Sequence, residues 1–115
     1  MDQHARTSSY WERDYTGAAF LGWFRWFGTS ATFPFGSLHV SQHAVTVRIG
    51  LGSWTWHSAT LRREEVKQVV LERRLWTRFA RFVHGKRGCP EFVLFATLPL
   101  EPLLQELRAM GYPVA

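Results

Sequence analysis

Nine basic residues lie between positions 62 and 87 and are interleaved with the aromatic residues Trp76, Phe79 and Phe82. Lys and Arg side chains neutralise phosphates, and exposed aromatic rings can stack on bases. The same pattern is typical of strands whose aromatic side chains are in the core and whose basic side chains face solvent, and strand aromatics are usually buried. The candidate ligand-binding patch comprises Arg62, Arg63, Lys67, Arg73, Arg74, Arg78, Arg81, Lys86 and Arg87.

The histidines and the single cysteine do not form a metal-binding pattern. Only His39 and His43 lie close in sequence, and a strand followed by a turn does not direct both rings at one ion. A zinc site needs further Cys, His or carboxylate ligands. Cys89 has no partner for an intrachain disulfide, which fits a reducing compartment. We expect no metal and no cofactor, and surface or packed roles for His4, His39, His43, His57 and His84.

No set of residues has the spacing of a catalytic site. Glu64 and Glu65 are adjacent, so their side chains diverge on a helix or a strand. The stretch 50–52 contains two glycines but lacks the further glycine and the strand-to-helix context of a phosphate loop. No Ser, His and acid combination has a recognisable signature. We therefore expect a protein that is not an enzyme.

Composition predicts one folded domain. The chain has 115 residues, of which 46% are hydrophobic, with six Trp and nine Phe, so it can bury a core. Its formal net charge of +5 favours an acidic partner such as nucleic acid, anionic lipid or an acidic protein face. A need for solubility also explains such a charge.

The C-terminal residues predict a strand followed by an amphipathic helix. The apolar run 92–95 precedes leucines at helical spacing, and Pro102 is tolerable in a first helical turn. Gly111 can adopt a left-handed cap, and Pro113 prevents continuation. The apolar stripe, which we expect to dock on the sheet, comprises Leu100, Leu103, Leu104, Leu107 and Met110.

Alternating apolar and polar residues predict a hairpin over residues 37–51, with its turn at 41–44. Turn residues around Pro34 precede it. After the break at 50–53, Trp54 and Trp56 could face one side of a following strand.

The N-terminal residues 1–16 are polar and predict a mobile tail, followed by a single domain over 17–115. The aromatic run 20–27 favours an extended conformation, as a buried strand or lid, with an interfacial membrane anchor as the alternative. The polar start predicts no secretory signal, and the apolar run 17–28 is shorter than the ~20 residues of a membrane span. We expect a cytoplasmic location, with peripheral contact to the inner membrane face left open.

Residues 60–84 allow two interpretations. Val66, Val69 and Val70 continue into Trp76 and Phe79 as one helical stripe, and residues 62–68 are good helix formers. The same residues also form β-branched and aromatic runs over 66–75 and 78–84, which is typical of two strands. Local physics leaves both open.

The order of segments beyond residue 33 resembles a known class of domain. It runs through Phe33-Pro34-Phe35-Gly36-Ser37-Leu38-His39-Val40-Ser41, Leu61-Arg62-Arg63-Glu64-Glu65-Val66-Lys67-Gln68-Val69, Ala80-Arg81-Phe82-Val83-His84-Gly85 and Phe92-Val93-Leu94-Phe95-Ala96-Thr97, and closes with residues 103–114. This pattern is similar to the small bacterial pleckstrin-homology-like (PH-like) domains, often stand-alone proteins of unassigned function. The resemblance implies a mainly β fold, a bent antiparallel sheet or partly open barrel capped by the C-terminal helix. It also implies two strands over 66–84, with 61–65 leading into them.

The resemblance implies a non-catalytic binding or adaptor module. Phosphoinositide-binding members of the wider class place Lys and Arg in and around the first hairpin loop, whereas the loop 41–44 has none and only Arg48 follows it. We therefore expect a protein or peptide partner, bound at an open sheet edge or beside the helix, or weak contact with an anionic membrane surface. The alternative is a nucleic-acid-binding protein that uses the basic cluster. The oligomeric state is left open.

Overall fold

The structure is a computed structural model that describes residues 12–24, 27–51, 53–74 and 76–115. Within these ranges, seven strands are followed by one helix. The elements are β1 (Glu12–Gly22), β2 (Gly28–Ser41), β3 (Ala44–Leu51), β4 (Trp54–Arg62), a 3₁₀ turn (Arg63–Glu65), β5 (Val66–Arg74), β6 (Thr77–His84), β7 (Phe92–Ala96) and α1 (Glu101–Ala109).

The strands form one antiparallel sheet in the order β4-β3-β2-β1-β7-β6-β5. Along β1, the first half pairs with β2 alone, and the second half pairs with both β2 and β7. The register of β1 against β2 shifts between Gly17 and Ala19. Within the described residues β4 and β5 do not pair, so the sheet is open. This architecture confirms the predicted mainly β fold, an open antiparallel sheet with a C-terminal helix, and it is consistent with the PH-like class.

The close approach of β1 and β7 depends on Gly17. A Cβ built at this position would clash with the backbone oxygen of Ala96. Only glycine fits there without moving one of the two strands. The place where β1 leaves β7 is therefore set by a single residue type.

Residues 60–84 adopt the two-strand alternative that the resemblance implied. The segment 63–65 is a short 3₁₀ turn, and β5 and β6 form an antiparallel hairpin. The helical interpretation is wrong because alternate positions such as Val69, Ala80 and Phe82 are fully buried at strand spacing. Tertiary packing thus overrides the helix propensity of residues 62–68.

Two expectations about the N-terminal part differ from the structure. Residues 12–16, assigned to the mobile tail, are the start of β1, while residues 1–11 lie outside the described part. Residues 28–36, expected to contain a turn, belong to β2, and the Phe33-Pro34 peptide bond is cis. The proline lies where β2 no longer pairs with β3, so it removes no hydrogen bond from that pairing.

The main core lies inside the bent sheet and is closed by α1. Leu103 and Leu107 of the helix are fully buried, together with Leu38, Val47 and Phe95 of the strands. This confirms the predicted docking of the helix stripe. Gly111 has a φ of +96°, as expected for a residue that ends a helix.

The residues after the helix cover the outer edge of β5. The backbone N–H of Val69 donates to the carbonyl of Pro113, and the N–H of Ala115 donates to the carbonyl of Val69, at 2.8 and 2.9 Å. Such pairing satisfies part of an edge that would otherwise be open to another chain.

Candidate binding surfaces

The nine predicted basic residues do not share one surface. Arg62 and Arg63 precede β5, Lys67 lies at its start, and Lys86 and Arg87 follow the end of β6. Arg73, Arg74 and Arg78 lie near the β5–β6 turn, and Arg81 lies in the middle of β6. A strand rises about 3.3 Å per residue, so the two groups are separated by most of the length of the hairpin.

Most of these cations are already engaged by carboxylates. Arg62 contacts Glu64 and Glu65, and Lys86 contacts Glu65 at 3.6 Å. Glu65 also accepts a 2.8 Å hydrogen bond from the backbone N–H of Arg62, and this bond, aided by the charges of Lys86 and Arg62, lowers the pKa of its carboxyl group. The remaining pairs are Arg74–Glu72, Arg81–Glu72 and Arg78–Glu101.

Arg74 and Arg81 belong to a second apolar cluster on the outer face of the sheet. The cluster is formed by Phe20, Phe92 and Leu94, with Phe79 at its margin. The guanidinium carbons lie 4.5 Å from the ring centroid of Phe20 for Arg74 and 4.4 Å from that of Phe92 for Arg81. Arginine stems shield apolar surface while their heads pair with charge. These two residues are therefore structural.

Three of the nine candidate basic residues have no partner among the described residues. Within the described part of the chain, Lys67, Arg73 and Arg87 are exposed and have no hydrogen-bond or ion-pair partner. Arg73 lies directly opposite Arg78 in the β5–β6 hairpin. Arg63 donates to the carbonyl of Met110 at 3.1 Å, so it anchors the helix end.

The β1–β2 connection and the β6–β7 loop form the first candidate surface, here called the aromatic tip. It comprises Trp23, Phe24 and Phe27, which are 56%, 67% and 73% exposed, with Lys86 and Arg87. Trp23 and the loop residues 84–89 line a shared concavity of about 320 Å³, together with Glu91. Exposed rings of this size next to cations are unusual on a surface that has no partner.

His84 holds the β6–β7 loop in shape. Its Nε2 lies 2.7 Å from the carbonyl oxygen of Pro90, and its Nδ1 accepts a hydrogen bond from the backbone N–H of Lys86 at 3.0 Å. The ammonium group of Lys86 then reaches the carbonyl of Thr60 at 2.9 Å. The loop is thus braced from both sides, and Arg87 is its free cation.

The second candidate surface is a groove at the point where β7 ends and β1 continues. The groove has a volume of about 720 Å³ and a mostly apolar lining, with Arg78 and Glu101 at its rim. Its walls include Phe33, Trp76 and Leu98, which are 69%, 90% and 96% exposed. This site, here called the β7 groove, combines a part of β2 with the β5–β6 turn and the β7–α1 connection, which are remote from one another in sequence.

The first hairpin of the sheet is not the one expected from the sequence. Residues 41–44 join β2 to β3, so they form the second turn. The first connection runs from Gly22 to Gly28 and has Arg25 in its sequence, which lies outside the described residues. The loop 41–44, which lacks Lys and Arg, is therefore not the first hairpin loop of the sheet.

The predicted histidines are dispersed. His39 lies between two carboxylates, with Nδ1 2.7 Å from Asp14 and Nε2 3.3 Å from Glu12, a contact missed because β1 was not predicted to start at Glu12. Across the described ranges, no three His, Cys, Asp or Glu residues are placed to hold a metal ion. Burial raises the pKa of the Cys89 thiol, which disfavours the thiolate.

The sequence matches no protein-family model and no curated protein sequence. A solved structure, the hSac2 domain from the human phosphoinositide phosphatase Sac2, is similar with a TM-score of 0.49 at 12% identity, covering 98% of this chain and 85% of that one. Among the described residues, no helix is long and apolar enough to cross a membrane.

Proposed function

We propose that the protein is a non-catalytic binding module that docks on an anionic membrane surface through its aromatic tip. The observation that carries this proposal is that Trp23, one of three exposed aromatic residues of the β1–β2 connection, lines one concavity with Arg87, which has no partner among the described residues. Tryptophan and phenylalanine rings favour the membrane interface, and cations favour anionic headgroups.

The charges near the aromatic tip favour an orientation in which the tip faces the membrane. Lys67 lies close to this loop, since its Nζ would be 3.1 Å from a Cβ placed on Gly85. Lys67 and Arg87 can each contribute about 1 kcal/mol of attraction near an anionic surface. Glu91 opposes them, and Lys86 is partly neutralised by Glu65. A surface with two free cations and three rings predicts weak, reversible docking, at the cytoplasmic face of the membrane.

Nucleic-acid binding is the competing function, and the ion pairs disfavour it. A phosphate backbone is bound by several cations along one track. Here five of the nine candidate cations contact carboxylates, and the rest are divided between the two ends of the β5–β6 hairpin. Binding of this kind would be lost steeply with salt and on charge reversal at Arg73.

Vesicle co-sedimentation tests the proposal. Wild-type protein should sediment with vesicles that contain phosphatidylglycerol and stay in solution with phosphatidylcholine alone. Trp23→Ala together with Phe24→Ala should abolish sedimentation, whereas Trp54→Ala, at another exposed tryptophan, should leave it unchanged. Equal sedimentation of the tip variant would contradict the proposal, as would a failure of wild-type protein to sediment.

A further inference from the structure

We infer that the β7 groove binds a short, extended segment of a partner protein that combines apolar and acidic side chains. The groove and the aromatic tip share no lining residue, so the two interactions are independent. The inference therefore stands or falls separately from membrane docking.

The floor of the groove explains the apolar part of the ligand. β7 ends at Ala96, opposite Ala18, and the small side chains there leave a notch beside β1. The connection 97–100 leaves the sheet at this point, and the hydroxyl of Thr97 donates to the carbonyl of Thr16 at 3.3 Å. A bulky apolar side chain can fill the notch and be covered by larger ones from the rim.

Three large apolar side chains that line the groove are exposed to solvent. Phe33, Trp76 and Leu98 come from β2, the β5–β6 turn and the β7–α1 connection, and they stand around one concave volume. Burying most of one such side chain against a ligand contributes about 1.5–3 kcal/mol of favourable free energy to binding. The walls come from three separate segments of the chain, and the site they line is an open groove. An extended chain fits this shape and buries side chains at alternate positions.

The charges at the rim explain the acidic part. Arg78 lines the groove, and Arg73 lies directly opposite it in the hairpin, so their side chains share one face. Arg78 contacts Glu101 only at 3.9 Å, with both side chains more than half exposed, and such a pair is easily exchanged. Arg73 has no partner within the described residues. A ligand carboxylate can therefore be bound bidentately here.

Peptide selection on the full-length protein tests this inference. A phage library of random short peptides is panned against wild-type protein and three variants: Trp76→Ala, Arg73→Glu and Arg87→Glu. We expect enriched peptides to combine apolar and acidic residues. A synthetic copy of the most enriched peptide should bind at least about tenfold more weakly to the first two variants, equivalent to about 1.4 kcal/mol, and equally well to Arg87→Glu.

The controls make each outcome decisive. Trp76 and Arg73 are exposed, so their substitution should leave the circular dichroism spectrum and thermal midpoint unchanged. Enrichment of basic peptides, an absence of enrichment, or undiminished binding to Trp76→Ala would overturn the inference. Binding of a labelled oligothymidylate that Trp76→Ala abolishes would assign the groove to single-stranded nucleic acid instead. Vesicle sedimentation of the same variants reports on the aromatic tip separately.

Discussion

The hydroxyl of Tyr112 donates a 2.7 Å hydrogen bond to the backbone carbonyl of Ser41, so the segment that follows the helix is tied to the end of β2. Tyr112 is 3% exposed. Its ring packs in the main core, and its hydroxyl donates to a backbone carbonyl at the end of β2. This contact and the pairing of Val69 with Pro113 and Ala115 fix the C-terminal residues against both halves of the sheet.

The burial of Tyr112 predicts a loss of stability at alkaline pH. Desolvation by burial is the main cause that raises the pKa of Tyr112 from 10.0 to about 12. The stabilisation is therefore fully present below pH 10 and is lost as the pH rises through about 12, by up to about 3 kcal/mol. Urea unfolding at a series of pH values should show this decline. Tyr112→Phe should reduce the decline and lower the stability near neutral pH by about 1 kcal/mol, and an equal decline in that variant would contradict the assignment.

The helix stripe gives a second prediction, with a matched control. Leu104 is 4% exposed, whereas Leu98 is 96% exposed. Leu104→Asp should unfold the domain, at a cost of about 3–5 kcal/mol, because it buries an unpaired charge. Leu98→Asp, the same chemical change, should stay folded. Circular dichroism and thermal melts distinguish the two, and a folded Leu104→Asp protein would refute the role of α1 in closing the core.

The sequence predicted the elements with a strong local pattern. The hairpin at 37–51 and the helix stripe were visible because each has one buried face, as Leu38 and Leu107 show. The start of β1 was missed because Glu12, Arg13 and Asp14 are polar, and their pairing with β2 is a long-range event. Likewise, no local sequence pattern indicates that Trp76 and Leu98 line the same groove.

The roles of the basic residues likewise depend on contacts that local sequence does not predict. Sequence spacing cannot distinguish Arg81, which covers Phe92 and contacts Glu72, from Arg87, which has no partner in the described part of the chain. The distinction depends on which face of a strand each side chain occupies and on carboxylates from elsewhere. The sequence shows basic residues interleaved with aromatic ones, but the role of each basic residue depends on the fold.

That distinction is testable by stability. Arg81→Ala should lower the free energy of unfolding by about 1–2 kcal/mol, because it uncovers the ring of Phe92 and leaves Glu72 with less charge compensation. Arg87→Ala removes the same charge and should change the free energy by less than about 0.5 kcal/mol. Chemical denaturation measures both. Equal effects would mean that Arg81 is as dispensable to the fold as Arg87.

Substitution of Gly17 tests how closely β1 and β7 approach each other beside the β7 groove. Gly17→Ala should destabilise the domain by about 1–3 kcal/mol, since its Cβ would displace the carbonyl of Ala96. Thr16→Ala, at the neighbouring exposed position, should have little effect on the thermal midpoint. If Gly17→Ala melts as the wild type does, β1 and β7 do not approach as closely as described.

Membrane docking through the aromatic tip is tested most directly by two charge reversals that change the net charge equally. Arg87 lies at the tip, and Arg73 lies near the β5–β6 turn; both are exposed and unpaired within the described residues. With phosphatidylglycerol vesicles, Arg87→Glu should sediment markedly less than wild-type protein, whereas Arg73→Glu should sediment as wild type does. Equal losses would indicate attraction by net charge alone, and a loss confined to Arg73→Glu would place the membrane contact elsewhere; either result would contradict docking through the tip.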